Sequence, residues 1–272
     1  MYPLPLPAGL GLEAAGIIKK VGSKVKNWSV GDHVAYAGVP IGAYAESRAY
    51  PADKLVKVPD HVTSEIAASI MTKGLTVHYL LFKTYKIKAG ETVLFHAAAG
   101  GVGQIFCQWA KSIGCKIIGT VGSDDKINIA KKNGCDFVIN YSKDDFVKKV
   151  LEITKGKGVP VVYDGVGADT FEGSLKCLAP FGVLASFGAA SGAPPELKIG
   201  DLAKKSLYVT RPGLGPHTAT SELTEEISSP LFDAIKNGLS IPINHRYALK
   251  DAAEAHRDLQ SRKTTGSAIL DI

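Results

Sequence analysis

Val93-Leu-Phe-His-Ala-Ala-Ala-Gly-Gly-Val-Gly103 reads as a short apolar strand that breaks into a glycine loop. A helix should follow, because Val102, Phe106, Trp109, Ala110 and Ile113 recur at helical spacing until Gly114 stops them. Glycines let the backbone turn tightly and approach a pyrophosphate, whose charge then rests on free N–H groups at the helix N-terminus. The strict G-x-G-x-x-G spacing is absent, since Gly101-Val-Gly103 is followed by Phe106 where a third glycine would stand. Turn glycines without a ligand are the rival reading. The position between a buried strand and an amphipathic helix favours a dinucleotide.

Outward from this loop, strands and helices alternate. Residues 116–121, 137–139, 161–163 and 183–187 read as strands, and 124–133, 143–154 and 170–178 as helices. Right-handed βαβ crossovers of this kind imply an α/β fold with a doubly wound parallel (Rossmann) sheet. Upstream, 14–22, 32–36 and 42–48 are short β-prone runs separated by Gly31-Asp32, Gly38 and several prolines. A helix is expected over 64–71, with Thr63 or Ser64 available as its cap. Helices over 220–237 and 249–262 and a strand over 268–272 close the chain.

At 272 residues, two domains are expected. Composition is that of an ordinary globular protein, 45% hydrophobic and 21% charged, and no stretch nears the roughly 20 apolar residues that cross a bilayer. The first residues lack the basic and apolar regions of a secretory signal. Cys107, Cys115, Cys135 and Cys177 match neither a disulfide scaffold nor a zinc pattern, which fits a reduced, cytoplasmic protein. Cys107 and Cys177 should be buried thiols. The net charge of +6 is spread over lysine pairs along the whole chain, without the arginine-rich stripe or interleaved aromatics of a nucleic-acid binder. The seven histidines form no i, i+4 pair and read as surface or core residues. Tyr36 and Tyr44 are placed in the core ahead of a substrate-facing position. Glu13, a carboxylate in an apolar run, should hold the domain junction through a partner.

An NAD-type site wants a carboxylate about 20 residues beyond the glycines, to hold the ribose 2′-OH. Asp124 sits at that distance, yet Ser123-Asp-Asp also reads as a helix start, where acids favour the positive dipole end. Lys126 offers what a 2′-phosphate requires, and charge alone puts NADPH slightly ahead.

Several separated motifs then occur in order: Gly11-Leu-Glu-Ala-Ala-Gly16, Gly31-Asp-His-Val34, Lys73-Gly-Leu-Thr76, Phe95-His-Ala-Ala-Ala-Gly-Gly-Val-Gly103 and Ile139-Asn-Tyr141. Val162-Tyr-Asp-Gly-Val-Gly167, Ser186-Phe-Gly188, Leu207-Tyr-Val-Thr-Arg-Pro212 and Leu249-Lys-Asp-Ala-Ala-Glu-Ala-His256 follow. Together they resemble the zeta-crystallin-like quinone oxidoreductases of the medium-chain dehydrogenase/reductase superfamily, over the whole chain.

That resemblance implies a GroES-like β-rich domain over 1–75, completed by 215–272, and an NADPH-binding Rossmann domain over 76–214, with the active cleft where the two meet. It implies that Lys126 and Tyr141 hold the 2′-phosphate, that Gly100, Gly101, Val102 and Gly103 hold the pyrophosphate, and that Thr76, Phe187, Gly188, Pro212 and Leu214 line the rest of the cofactor site. Gly165 departs from the serine common in relatives, removing one polar contact. Zinc-dependent members of the superfamily carry Gly-His-Glu-x-x-Gly, where this chain has Leu12, which cannot ligate a metal, and their four-cysteine cluster is missing.

Without zinc, hydride transfer from NADPH to a quinone fits better than alcohol oxidation, because a quinone has low-lying acceptor orbitals and positioning can supply much of the catalysis. Tyr2 is the substrate-side candidate, and no general acid is named. Reduction of an enal or enone double bond is the alternative chemistry, and an RNA-binding or crystallin-like structural role the alternative from another class. The resemblance also implies a homodimer joined near Leu207–Val209. In relatives, about 50 further residues precede the position of Tyr2; without them the β-rich domain should be incomplete and expose unpaired strand edges.

Overall fold

The structure is a computed structural model that describes residues 5–261 and 264–272. The chain divides into two compact units, Met1–Thr76 with Leu214–Ile272, and Val77–Gly213.

The first unit opens with strands β1 (Glu13–Ile17), β2 (His33–Ala37) and β3 (Val56–Lys57), an antiparallel sheet in that order. Glu13 pairs with Ala37 and Ile17 with His33, and Gly31 and Gly38, both at positive φ, turn the chain at the two ends of β2. Residues 42–48 form no strand, contrary to their β propensity. Gly42 lies at φ +116, which breaks the pleat, and the segment's backbone instead bonds to the Leu10 and Gly11 carbonyls. Helix α1 (Ser64–Tyr79) starts where expected, with the Thr63 hydroxyl accepting from the Ile66 N–H, but it runs eight residues past Met71 and ends in a π-turn over Leu80–Thr84. Gly74 does not stop it. A Cβ there would lie 2.6 Å from both Ile70 and Leu231, so the missing methyl is what lets a distant helix approach.

The second unit contains β4 (Thr92–Phe95), α2 (Gly101–Ile113), β5 (Lys116–Val121), α3 (Ile127–Lys132), β6 (Phe137–Asn140), α4 (Phe146–Ile153), β7 (Val159–Asp164), α5 (Phe171–Cys177), β8 (Leu178–Ser186) and β9 (Tyr208–Thr210). All neighbouring strands are parallel, in the order β6-β5-β4-β7-β8-β9. Numbered within this unit the order is 3-2-1-4-5-6, the doubly wound dinucleotide-binding arrangement. Leu94, Ile118, Val162 and Leu184 on the central strands are fully buried against Val150 and Phe171. Gly114, at φ +95, ends α2, and the Asp145 carboxylate caps α4 by accepting from the Val147 and Lys148 N–H groups. All four cysteines are buried and free, and the sulfurs of Cys107 and Cys135 lie 3.4 Å apart.

The first unit closes with α6 (Leu214–His217), α7 (Ser221–Lys236), β10 (Ile243–Ala248), α8 (Ala252–Gln260) and β11 (Ser267–Asp271). The boundaries of α7 follow from its caps, Thr220 and Asn237. Strand β10, which pairs in parallel with β11, is not evident in the sequence because Asn244, His245 and Arg246 occupy its centre. Arg246 binds both oxygens of Glu65 at 2.9 and 2.8 Å, tying β10 to the start of α1.

Candidate functional site

The carboxyl ends of the parallel strands carry most of the expected cofactor residues. The loop after β4 holds Gly100 and opens α2 at Gly101, Val102 and Gly103. Lys126 and Tyr141 follow β5 and β6, Phe187 and Gly188 follow β8, and Pro212 follows β9. In an open α/β sheet this edge, where the strand order reverses between β4 and β7, is where ligands bind.

The glycine loop has the shape a pyrophosphate requires. Gly100, the N-cap of α2, has no side-chain cap, so the first N–H groups of the helix point out of its end. The loop is pulled tight by Gly100 N–H donating to Ala97 O and Ala98 N–H to Thr120 O, both at 2.9 Å. A Cβ on Gly103 would lie 2.5 Å from Ala97 O and 2.7 Å from the Ala98 carbonyl, so only glycine permits this close approach. At the neighbouring strand ends, the Tyr141 hydroxyl reaches Gly122, where a Cβ would come within 3.0 Å of it, and Tyr141 N–H donates to Val121 O. Lys126 ends the 3-10 turn Asp124–Lys126 that leads into α3. The uncapped loop with its free N–H groups fits a dinucleotide pyrophosphate, and a lysine and a phenol follow the two neighbouring strands.

Asp124, the rival acceptor for a ribose 2′-OH, is already engaged. Its Oδ1 accepts from Asn140 Nδ2 at 2.6 Å, and its Oδ2 pairs with Lys143 Nζ. Both donors hold the carboxyl below its ordinary range, Lys143 first.

Beneath the loops lies a buried polar chain that the sequence does not reveal. His96, the last residue before the Ala97–Gly103 turn, is fully buried, with Nδ1 2.9 Å from Thr120 Oγ1 and Nε2 3.0 Å from Ser174 Oγ. The Ser174 hydroxyl donates to Asp164 Oδ2 at 2.9 Å, so its oxygen must accept from His96 Nε2–H, and Nδ1 must accept from Thr120. Burial pushes the His96 pKa down to about 4, with Asp164 opposing that shift, so the ring is neutral at pH 7. Asp164, also fully buried, accepts from the Val166 and Gly167 N–H groups and from the Thr170 hydroxyl. One carboxylate thereby orders the turn after β7 and, through Ser174 and His96, reaches the glycine loop. That turn supports the next one. Phe187 N–H and Gly188 N–H donate to Asp164 O, and Gly188 packs so close that a Cβ would lie 2.4 Å from Gly165 O. A Cβ on Gly165 would sit 2.8 Å from the Phe187 ring, so the glycine in place of serine accommodates that ring. Arg211 fixes the other side, donating to Ser186 O at 3.0 Å and Gly188 O at 2.7 Å.

Of the remaining expected residues, Thr76 is buried in α1 and Leu214 is the first residue of α6, both assigned to the first unit. Tyr2 lies outside the described residues. Glu13 has a partner, but within the first unit, not at the junction expected of it. Its Oε2 accepts from Thr72 N–H at 2.6 Å and its Oε1 lies 3.8 Å from Lys73 Nζ, which pins β1 to α1. Tyr36 is buried and stacks on Tyr50 at 3.9 Å, while the half-buried Tyr44 hydroxyl lies 3.1 Å from His256 Nε2. Among the described residues, no three His, Cys, Asp or Glu side chains gather where they could hold a metal ion, and Leu12 offers no donor atom beside Glu13. The described residues therefore offer no donor set that fits a catalytic zinc.

Residues 1–60 match the family model described as an alcohol dehydrogenase GroES-like domain, and residues 101–229 the one described as a zinc-binding dehydrogenase. A quinone oxidoreductase of Pseudomonas aeruginosa is 51% identical over 273 residues, covering 99% of this chain and 84% of that protein. A 2-haloacrylate reductase of Burkholderia is 44% identical over 278 residues, covering 98% and 84%. The crystal structure of Escherichia coli quinone oxidoreductase complexed with NADPH superposes with a TM-score of 0.96 at 51% identity, over all of this chain and 85% of that one. The glycine loop at a parallel-sheet edge and this likeness along nearly the entire chain agree: the chain belongs to the quinone oxidoreductase family of the medium-chain dehydrogenases/reductases.

Proposed function

We propose that this chain is an NADPH-dependent quinone reductase that works without a metal. The observation that carries this reading is the strand-edge cluster, in which an uncapped glycine loop opens α2 and Lys126 and Tyr141 stand at the ends of the two next strands. NADPH, when bound, supplies the hydride that a quinone accepts. The α2 N–H groups at Gly101, Val102 and Gly103 would hold the pyrophosphate beside Gly100, and Lys126 with Tyr141 the 2′-phosphate. Thr76, Phe187, Gly188, Pro212 and Leu214 would line the remainder, with Phe187 and Gly188 fixed by Asp164 and Arg211. Tyr2 is the candidate for packing against the acceptor. No side chain is assigned as a proton donor, and the protons of the reduced quinone can come from water.

The two functional parts would be a β-rich catalytic domain over 1–75 completed by 215–272 and a cofactor domain over 76–214. The likeness to a 2-haloacrylate reductase supports a second reading, reduction of an activated carbon–carbon double bond. A homodimer through β9 is also proposed. That strand ends the six-stranded sheet and leaves Tyr208 60% exposed, an edge open to pairing. The reduced, buried cysteines fit a reducing compartment, so the proposed location is the cytoplasm. No described helix is long and apolar enough to cross a membrane.

Steady-state oxidation of NADPH with a benzoquinone and, separately, with an enal decides between the two chemistries. Faster turnover of the quinone is expected. Turnover of the enal alone would replace the first reading with the second, and turnover of neither would remove both.

A further inference from the structure

Asp124 occupies the turn after β5, about 20 residues beyond the glycine loop, where a free carboxylate would accept the ribose 2′-OH of NADH and repel a 2′-phosphate. It is not free. Asn140, the last residue of β6, is 4% exposed and sits opposite Val121 in the sheet register. Its Oδ1 accepts from Ser142 N–H at 3.1 Å, which leaves Nδ2 to donate outward to Asp124 Oδ1 at 2.6 Å. The buried amide thus fixes the direction of the carboxylate. Lys143 pairs with the other oxygen from an exposed position, its side chain 67% accessible, and cancels the charge.

We propose that Asn140 and Lys143 act together as a specificity clamp that holds Asp124 in a neutralised, oriented ion pair, so that the neighbouring Lys126 and Tyr141 can accept a 2′-phosphate without repulsion. The proposal rests on the assignment of those two residues to NADPH. The roles differ: Asn140 sets geometry, and Lys143 sets charge. A phosphate monoester carries about two negative charges at neutral pH, so an uncompensated carboxylate beside it is felt strongly. The same carboxylate would cost NADH nothing, because its 2′-OH can donate to it.

The test is a calorimetric titration of NADPH and NADH into the wild-type chain and into Lys143→Met, Asp124→Asn/Lys143→Met and Lys126→Ala. Lys143→Met should weaken NADPH about tenfold, the scale of one uncompensated charge near a protein surface, and leave NADH unchanged or tighter. The double variant should recover most of the lost NADPH affinity, because the repelling charge is gone. An unchanged NADPH:NADH ratio in Lys143→Met overturns the clamp, as does equal weakening of both cofactors or a double variant that does not recover. If Lys126→Ala lowers NADPH affinity while Lys143→Met does nothing, the clamp alone fails. If Lys126→Ala also leaves NADPH unchanged, that assignment fails with it. Thermal melts confirm that each variant is folded.

Discussion

Gly103→Ala isolates the contribution of the glycine loop. The added methyl would meet Ala97 O at 2.5 Å and the Ala98 carbonyl at 2.7 Å, whereas ordinary contact begins near 3.4 Å. Both obstacles are backbone, so no side chain can swing aside. The first turn of α2 must retreat by roughly 1 Å, a displacement large enough to spoil a positioned contact. Overpacking of this kind costs about 1–3 kcal/mol of stability, partly offset by the roughly 1 kcal/mol that alanine gains over glycine in a helix. The protein should therefore fold and melt somewhat earlier. The N–H groups of the α2 turn are the ones assigned to the pyrophosphate, and a hydrogen bond to a charged group is worth about 1.5–3 kcal/mol. Losing one should raise the dissociation constant for NADPH and NADH alike by about tenfold to a hundredfold. Gly200→Ala, in the same unit with nothing within 4 Å of the new methyl, is the control and should bind as wild type. Calorimetric titration of both variants reads the effect. Wild-type NADPH affinity in folded Gly103→Ala would show that the loop does not carry the pyrophosphate.

Three further outcomes follow from the same geometry. Lys126→Ala should weaken NADPH about tenfold or more and spare NADH, since only the former carries the 2′-phosphate; a parallel loss of both in titrations would reassign the lysine to scaffold. His96 links pH to stability. Its folded pKa of about 4 lies below the ordinary 6.5, so the unfolded chain takes up the proton first as pH falls. Full stability is present above pH 6.5, and about 3 kcal/mol of it should be lost as pH drops toward 4. In melts at stepped pH, His96→Gln should be less stable at pH 7 yet lose less on acidification, and an unchanged acid loss would assign the effect to other groups. Asp164→Ala strips the acceptor from two backbone N–H groups and two hydroxyls in a fully buried site, and should cost about 3 kcal/mol or more in chemical denaturation. A cost under 1 kcal/mol would mean that water replaces the carboxylate.

The parts of the structure written locally in the sequence could be read directly. The strand, glycine loop and helix over 93–113 need only hydrophobic period and a glycine stop, and α7 lies between its two caps as the pattern places it. What depends on distant partners could not be read. Helix α1 passes through Gly74 because Leu231, far along the chain, fills the space a methyl would take. Residues 42–48 have the composition of a strand, but Gly42 and the Gly11 carbonyl turn them into a loop. Charge and spacing leave Asp124 open as a ribose acceptor or a helix start, and its partners Asn140 and Lys143 lie on the next strand and turn, beyond the reach of a local pattern. His96 and Asp164 carry no motif of their own as a pair. They meet only because β4 and β7 are neighbours in the sheet, with Ser174 of α5 laid across their ends.

The most direct single experiment is a calorimetric titration of the purified chain with NADPH and, in parallel, with NADH. Saturable NADPH binding that exceeds NADH binding, with the difference abolished by Lys126→Ala, is the expected result. Equal affinity for the two cofactors, or a preference for NADH, would contradict the assignment of Lys126 and Tyr141 to the 2′-phosphate, and no binding of either would contradict the cofactor site altogether.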